Sequence, residues 1–570
     1  MNTPDDAPVN ASLVERVLAA RGLRDKDVVD RFCQPSLQDL HDPGLLPGVD
    51  AAAERIIDAV RGRRSIVIYG DYDVDGMTAT AILYHMLKAL DPEARVSTYV
   101  PHRIDEGYGI NTDALRQLRT DGADLVVSVD CGVTAVEPAR VAHEIGLELI
   151  ITDHHRPDGD DLPVDTILVH PALEDSTYPF ADLAGAGVAF KLAWRIATMR
   201  QNSENVGESF RRLLVCDLLP LAALGTIADV VPLVDENRII ARHGLAFIGR
   251  TSLPGVRALL ELTRLTNAQL DTEDVGFKLA PILNACGRLG KGKDAVDLLT
   301  VATPEKSHEL AGSFHDLNEQ RKRMQAEITD QAAEMAEAAG MTGPESRAIV
   351  LAHENWHPGV IGIVCSRLVD RYSRPTILMQ IKDGMCRGSA RSIDGYSIHD
   401  GLIACSEHLE NYGGHAMAAG LTLDADRLED FTNAFRRHAA EQIGDAELTA
   451  LLPIDCDASL GDLDEAGVRR LSELGPFGRS NRRPVVRLRG LRLAAPPQRL
   501  GAKSAHLALR LDTGETNGKT IRAVWWSAGD IADKLGAGMH LDLAVEPKLS
   551  SFRGRVSVEP EIRDVILRPV

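Results

Sequence analysis

Three aspartates fall within one short stretch, Asp71-Tyr72-Asp73-Val74-Asp75-Gly76, directly after the apolar run Ser65-Ile66-Val67-Ile68-Tyr69. The run reads as a buried parallel strand and residues 77–90 as the helix that follows it. Three carboxylates therefore converge on a turn at the carboxyl end of a strand, where open α/β sheets place their ligands. Carboxylates so close repel one another, and the repulsion must be offset by protons or cations. A hard divalent metal is the better answer.

Further acids repeat the placement. Leu125-Val126-Val127-Ser128-Val129 ends at Asp130, Leu149-Ile150-Ile151-Thr152 ends at Asp153-His154-His155, and Asp229 interrupts the apolar stretch Leu224-Gly225-Thr226-Ile227-Ala228. In a parallel sheet all carboxyl ends lie on one edge. Asp71, Asp73, Asp75, Asp130, Asp153 and the two histidines are thus expected to be neighbours in space. Singly, Asp75 could cap a helix, Asp130 could form a turn and Asp229 could be a hydrogen-bonded core carboxylate. Jointly, three successive strand ends would need the same polar accident. Oxygen-rich ligation with one or two imidazoles suits Mn²⁺ or Mg²⁺ better than Zn²⁺. So many carboxylates point to two ions, a pair able to bind a phosphoryl oxygen and activate water, hence phosphoester hydrolysis.

A second region carries phosphate-binding features. In Arg387-Gly388-Ser389-Ala390-Arg391 the polar residues share one face if the segment is a strand, a stripe suited to a sugar–phosphate backbone. The segment Tyr412 to Gly420, with Gly413-Gly414-His415 in it, reads as a small-residue turn, either a plain tight turn or one whose backbone N–H groups meet a phosphate. Arg288, in Asn284-Ala285-Cys286-Gly287-Arg288, offers another cation near the boundary between lobes.

These residues need a scaffold. Strand candidates at 66–69, 96–100, 125–129, 147–152 and 166–169 alternate with helical stretches, which predicts a doubly wound parallel sheet. Residues 210–300 read as mostly helical. A long helix should begin near Thr303-Pro304, with Leu310, Phe314, Leu317, Met324 and Ile328 along one face, and end at Gly340. A second α/β unit follows from about 348 to 423. Short strands at 484–488, 505–511, 521–525, 541–545 and 555–558 suggest a small barrel of the oligonucleotide-binding kind. The fold class expected is α/β, with two lobes joined by the long helix and a C-terminal β-barrel. The divisions are a helical leader (1–60), a catalytic domain (61–300), the connecting helix (301–342), a second lobe (343–450) and the barrel (451–570).

Composition narrows the setting. The 570 residues are 44% hydrophobic and carry a net charge of −20, which alone argues against a nucleic-acid partner. Residues 481–570, however, hold 16 Lys+Arg against 9 Asp+Glu, a basic region on an acidic body that suits polyanion binding. Eight cysteines without a Cys-x-x-Cys pair argue against a zinc site or a disulfide framework. The N-terminus lacks the features of a secretory signal, and the longest apolar run is broken by Pro220, Asp229 and Pro232. A cytoplasmic protein with reduced thiols and no membrane association is expected.

The ordered blocks resemble the DHH phosphoesterase family, and within it the exonucleases specific for single strands. The resemblance spans nearly the whole chain: Arg21-Gly22, Asp42-Pro43, Gly70 to Gly76, Ser128 to Gly132, Asp153-His154-His155, Ala223 to Pro232, Asn284 to Arg288, Arg387 to Arg391 and Gly413 to His415. It implies two catalytic lobes joined by a long helix, plus an oligonucleotide-binding barrel. Carried over by position, Asp71, Asp73, Asp75, Asp130, His154 and Asp229 hold Mn²⁺ or Mg²⁺. His155 lies against the scissile phosphate, with Asp71 and Asp73 beside it at the reacting centre. The resemblance also implies removal of nucleotides from the 5′ end of single-stranded DNA in recombination and repair, with a single-strand-binding protein or helicase as partner. Two departures stand out: His170 where the family carries asparagine, and an aromatic-poor barrel region whose main stacking candidates are Trp525-Trp526. Two rival readings are a phosphodiesterase for short oligonucleotides or cyclic dinucleotides and a non-catalytic DNA-binding scaffold.

Overall fold

Ile66, Val67, Ile68 and Tyr69 are all buried, and this strand pairs in parallel on both sides, as a run apolar on both faces requires. The computed structural model describes residues 11–568 except 104–105, 158–160, 202–205, 445–447, 449–450, 502, 514–518 and 553–554. It divides into two compact units. One comprises Pro43–Asp229 and Phe247–Leu451; the other comprises the chain up to Asp42, Val230–Ala246 and Leu452–Val570.

In the first unit a parallel sheet has the order β2-β1-β3-β4-β5, with β1 Ile66–Tyr69, β2 Val96–Tyr99, β3 Leu125–Val129, β4 Glu148–Thr152 and β5 Ile167–Val169. From β1 the chain crosses to one side for β2 and returns to the other for β3. The switch point therefore lies between β1 and β3, where such sheets open a crevice. Registers Tyr69↔Ser128 and Val129↔Thr152 bring the ends of β1, β3 and β4 level. The segments leaving those ends are Gly70-Asp71, Asp130 and Asp153.

The helix after β1 spans Val74–Leu90, beginning three residues earlier than the sequence pattern indicated. The reason is a cap: Asp73 accepts a hydrogen bond from the Gly76 amide at 3.1 Å, so Asp73 takes the capping place considered for Asp75. Two later helices arrive through widened turns. Leu214–Leu218 and Val275–Leu279 are π-helical, and the next residue in each case, Leu219 or Ala280, donates to the carbonyl five residues back. Pro220 and Pro281 follow immediately. A proline ring inside a helix clashes with the carbonyl four residues back, and the wider turn relieves that clash. The chain thus enters the helices Leu219–Ala228, which ends at Asp229, and Ala280–Arg288 without a break.

The long helix spans Pro304–Ala338, capped by Thr303, with Gly340 in the left-handed region just past its end. Phe314 and Ile328 are buried on its inner face. It leads into a mixed sheet of order β6-β7-β8-β10-β9, with β6 Ile349–His353, β7 Thr376–Lys382, β8 Met385–Arg391, β9 Asn411–His415 and β10 Ala418–Asp424.

The second unit is a β-barrel with its own core. Its strands are β11 Cys456–Ala458, β12 Val486–Leu493, β13 Gln498–Leu500, β14 His506–Asp512, β15 Ile521–Trp525, β16 His540–Glu546, β17 Leu549–Phe552, β18 Arg555–Val558 and β19 Glu561–Arg568. The ring β12-β16-β19-β15-β14 closes through a β12–β14 pairing. Four of the five expected barrel strands lie in this ring. The fifth, 555–558, pairs with β17 as a separate hairpin, and β19 takes its place. The charges in Glu561-Ile562-Arg563-Asp564 hide the alternation of β19, yet it pairs with β16 along its whole length.

The N-terminal helices divide between the units. Leu13, Val17 and Leu18, from the helix Leu13–Ala20, sit in the barrel core with Leu460, Val468 and Leu488, whereas the helix Val49–Arg61 belongs to the sheet unit. Arg238, buried at 3% exposure, ties the barrel unit together by donating to the carbonyls of Phe32, Leu474, Gly475 and Pro476. Because Leu18 is core rather than periphery, Leu18→Ala should cost roughly 2–5 kcal/mol. Denaturant melts followed by tryptophan fluorescence, to which Trp525 and Trp526 of this unit contribute beside Trp194 and Trp356 of the other, would measure it.

Candidate metal centre

Asp130 leaves β3 in the left-handed region, φ 60°, a conformation that aspartate tolerates better than most residues and that turns its side chain back over the sheet edge. Its carboxylate meets the imidazole delivered by the end of β4. His154 Nε2 lies 3.1 Å from Asp130 Oδ1, 3.7 Å from Asp229 Oδ2 and 3.8 Å from Asp75 Oδ2. Donor atoms group into three sets with members within 4.8 Å of one another: Asp71, Asp73 and Asp130; Asp75, His154 and Asp229; Asp130, His154 and His155. Asp130 and His154 each belong to two sets.

The electrostatics of the cluster follow from burial and mutual repulsion. Burial, then the charge of Asp73, pushes the Asp71 carboxyl up to about 8 and that of Asp75 up to about 7. Burial and the charges of Asp75 and Asp73 drive Asp130 well above the carboxylate range. Burial, reinforced by the neighbouring His155, brings His154 down to about 3, so its ring is neutral. That ring hydrogen-bonds the backbone of Leu183, while Nε2 has no hydrogen-bond partner. The contact at 3.1 Å is not aligned as a hydrogen bond, and Asp130 Oδ1 and Asp71 Oδ1 are likewise buried without partners. Three unsatisfied acceptors turned toward one region, with a neutral imidazole fixed in the tautomer a cation needs, fit Mn²⁺ or Mg²⁺.

His155 is arranged differently. Its Nδ1 lies 2.8 Å from Asp153 Oδ1 and 3.1 Å from the Tyr108 hydroxyl. Burial opposes its charge, but the hydrogen bond and charge of Asp153 outweigh that and raise it to about 9. Asp153 is held near 2 by the same partner despite its burial. His155 is therefore an imidazolium beside the acids. His170, the departure from the family pattern, is fully buried; its Nδ1 accepts from the Ala172 amide, so its Nε2 donates to the His155 carbonyl at 2.7 Å. It anchors the loop that carries both histidines.

The arginines form a second cluster. Arg288 donates to the Gly359 carbonyl at 3.1 Å, and burial with the charges of Arg103, Arg321 and Arg391 brings its guanidinium down to about 9. Asp73 is the acid that offsets this. Arg387, Ser389 and Arg391 share one face of β8, while Cys386 and Ala390 enter the core on the other. Within Tyr412–Gly420, Gly413, Gly414 and His415 lie in the exposed edge strand β9, and the turn itself is Ala416-Met417. The turn comes after them, because Gly414 and Gly413 pair with Ala419 and Gly420 across the hairpin.

Several participants escaped the sequence pattern. Tyr108 stands between Gly107 and Gly109, an unremarkable turn signal. Arg103 lies over the Tyr72 ring at 4.7 Å from a loop with no motif. Asn284, whose side chain accepts from the Val74 amide at 3.2 Å, was visible only as part of a block. Gly185 and Ala186, which donate to Asp75 at 2.7 and 2.9 Å, gave only the weak signal of small residues at a helix start.

A parallel sheet with acids and imidazoles at its switch point, followed by a long helix and a second lobe bearing an arginine face, defines a phosphoesterase of the DHH class. Residues 65–226 match the DHH family N-terminal domain, 345–441 the DHHA1 domain and 454–564 the RecJ OB domain. The single-stranded-DNA-specific exonuclease RecJ of Bacillus subtilis is 37% identical over 97% of this chain and 67% of its own. The RecJ of Dickeya dadantii is 34% identical over 98% of this chain and 96% of its own. The crystal structure of Thermus thermophilus RecJ with Mn²⁺ superposes with a TM-score of 0.80 at 32% identity, covering 98% of this chain and 76% of that one. The Mg²⁺ complex of the same protein gives 0.75 at 30%, covering 98% and 74%. This chain belongs to the RecJ family of single-stranded-DNA-specific exonucleases. No helix among the described residues is long and apolar enough to cross a membrane, and all eight cysteines are free.

Proposed function

We propose that this protein is a metal-dependent exonuclease that hydrolyses single-stranded DNA from its 5′ end, in recombination and repair. The observation that carries the reading is the convergence of three buried, unsatisfied acceptors, Asp71 Oδ1, Asp130 Oδ1 and His154 Nε2, in a chain of this family. Asp71, Asp73 and Asp130 would hold one ion; Asp75, His154 and Asp229, with Asp130 shared, would hold the other. Bound Mn²⁺ or Mg²⁺ supplies Lewis acidity toward a phosphoryl oxygen and lowers the pKa of water. His155, kept charged by Asp153, donates toward a non-bridging oxygen of the scissile phosphate, where negative charge grows in the transition state. Tyr108 holds the imidazolium from its open side.

Arg288, Ser389 and Arg391, with Arg103 and Arg321 close by, grip the phosphates of the entering strand. Arg103, Arg321 and Arg391 all lower the Arg288 guanidinium, and such a group of cations suits an anion, which a terminal phosphate would supply. Arg391→Ala should raise the KM for single-stranded DNA about tenfold. It should also flatten the dependence of log KM on log salt by about one phosphate contact, with a smaller change in kcat. Arg387, Gly413, Gly414 and His415 extend the grip along the second lobe; in the barrel, the exposed Trp526 offers a face on which a base can stack, while Trp525 packs against the barrel core. Exposed single strand is the substrate, so a single-strand-binding protein or a helicase is the partner class we infer, with the cytoplasm as the compartment.

Digestion of 5′- and 3′-labelled single- and double-stranded DNA with Mn²⁺ or Mg²⁺ tests the reading. Expected are early release of the 5′ label as mononucleotide, inert duplex, and loss of all activity in EDTA. Release of the 3′ label first would overturn the polarity. Preference for dinucleotides over long strands would favour the oligonucleotide phosphodiesterase, and ion binding without hydrolysis would favour the scaffold.

A further inference from the structure

Two helices close on the acid cluster through glycine. The helix Gly185–Gln201 points its N-terminus at Asp75, whose two oxygens accept the Gly185 amide at 2.7 Å and the Ala186 amide at 2.9 Å. These amides belong to the first helical turn and have no partner within the helix, and a carboxylate there also faces the positive end of the helix dipole. A methyl at Gly185 would stand 2.5 Å from Asp130 Oδ1 and 2.7 Å from its Cβ. A methyl at Gly225, on the helix Leu219–Ala228, would overlap Asp75 Oδ1 and stand 2.5 Å from Thr78 Oγ1 and 2.6 Å from Ala186 Cβ. None of these neighbours can yield without moving a buried acid or a helix. Asp75 and Asp130 are 1% and 2% exposed.

We infer that Gly185 and Gly225 are positioning residues for the cation site. Bare of side chains, they let two helices seat against Asp75 and Asp130, so that the Gly185 and Ala186 amides aim the Asp75 carboxylate before any ion arrives. The inference rests on the metal-dependent reading above. It assigns the cost of assembling the site to the protein fold rather than to the ion, because a carboxylate already oriented loses little freedom on coordination.

The test is calorimetric titration of Mn²⁺ into EDTA-stripped, dialysed full-length protein, comparing the parent with Gly185→Ala, Gly225→Ala and Gly255→Ala. Gly255 is the steric control: a methyl there overlaps the Leu298 carbonyl in another helix contact of the same unit, away from the acids. Gly185→Ala and Gly225→Ala should weaken Mn²⁺ binding by roughly 10–100-fold. Gly255→Ala should lose heat stability by a similar amount yet bind Mn²⁺ as the parent does. Parent-like affinity in the first two variants, or equal weakening in all three, overturns the positioning role. A parent that binds no Mn²⁺ removes the metal reading itself. Should the variants fail to fold, amide hydrogen exchange on the ion-free parent decides: protected Gly185 and Ala186 amides support the inference, and unprotected ones overturn it.

Discussion

Asp130→Asn is expected to lower kcat on single-stranded DNA by on the order of 10³-fold or more while raising the melting temperature of the ion-free protein. The two effects have one origin. Asp130 belongs to two of the three donor sets, so no other carboxylate touches as much of the proposed ion pair. It is also the carboxylate most burdened by its neighbours, driven up by burial and then by Asp75, Asp73, Asp229 and Asp71 in turn. An amide is neutral without having to take up a proton, and it keeps the shape. Asparagine also accepts the left-handed backbone at φ 60° as readily as aspartate, so the turn after β3 survives. A variant that is both inactive and more heat-stable in EDTA distinguishes a functional acid from a structural one, whose loss would weaken the fold. Wild-type turnover in Asp130→Asn would sink the assignment.

Ion removal should expose the same repulsion across the whole cluster. In EDTA the melting temperature is expected to fall as pH rises from about 6.5 to about 9, and saturating Mn²⁺ should cancel or reverse that slope. Asp71 and Asp75, pushed up to about 8 and about 7 by burial and by Asp73, have folded pKa values above the ordinary 3.8. Their protonated forms favour the fold, a contribution complete below pH 3.8 and lost as pH rises through 7 to 8. His155, raised to about 9 by Asp153 against its burial, loses its contribution in the same direction. His154, held at about 3 by burial and by His155, changes stability only below 6.5, outside this window. Mn²⁺ competes with those protons, so its stabilisation grows with pH. Each ion at a hundredfold excess over its Kd adds about 2.7 kcal/mol. Calorimetric scans at several pH values, with and without Mn²⁺, check both slopes.

The barrel core also changes how the C-terminal region should be probed. Removing residues 480–570 would strip the partners of Leu13, Val17 and Leu18 along with the proposed strand-binding surface. Loss of activity after that deletion would then mix two causes. Substitution of Trp526, half-exposed and hydrogen-bonded to Glu561 at 2.9 Å, separates strand contact from folding.

Much of the site is legible in the sequence because a parallel sheet imposes one rule: strands that run the same way end on the same edge. Asp71, Asp130 and Asp153-His154-His155 follow apolar runs, and that local fact suffices to gather them. The long helix is equally plain, since a capping threonine, a first-turn proline and a terminal glycine are all local signals. β19 is not, because its partners lie elsewhere in the chain and its charges mask the period. Within Tyr412–Gly420 the local pattern indicates a turn but not its place, for a related reason: glycine permits a turn, while cross-strand pairing decides where one forms, here at Ala416-Met417.

Which chemical groups reach the sheet edge is written in short segments, because alternation and strand direction are local properties. Their roles come from the folded chain. It made His154 a neutral acceptor and His155 a cation, two adjacent residues separated by whether an acid makes an aligned hydrogen bond to the ring. It also set Arg103, Tyr108 and the Gly185 helix against the acids. Charge state and steric closeness depend on what surrounds a group in space, and residues far apart along the chain supply those surroundings.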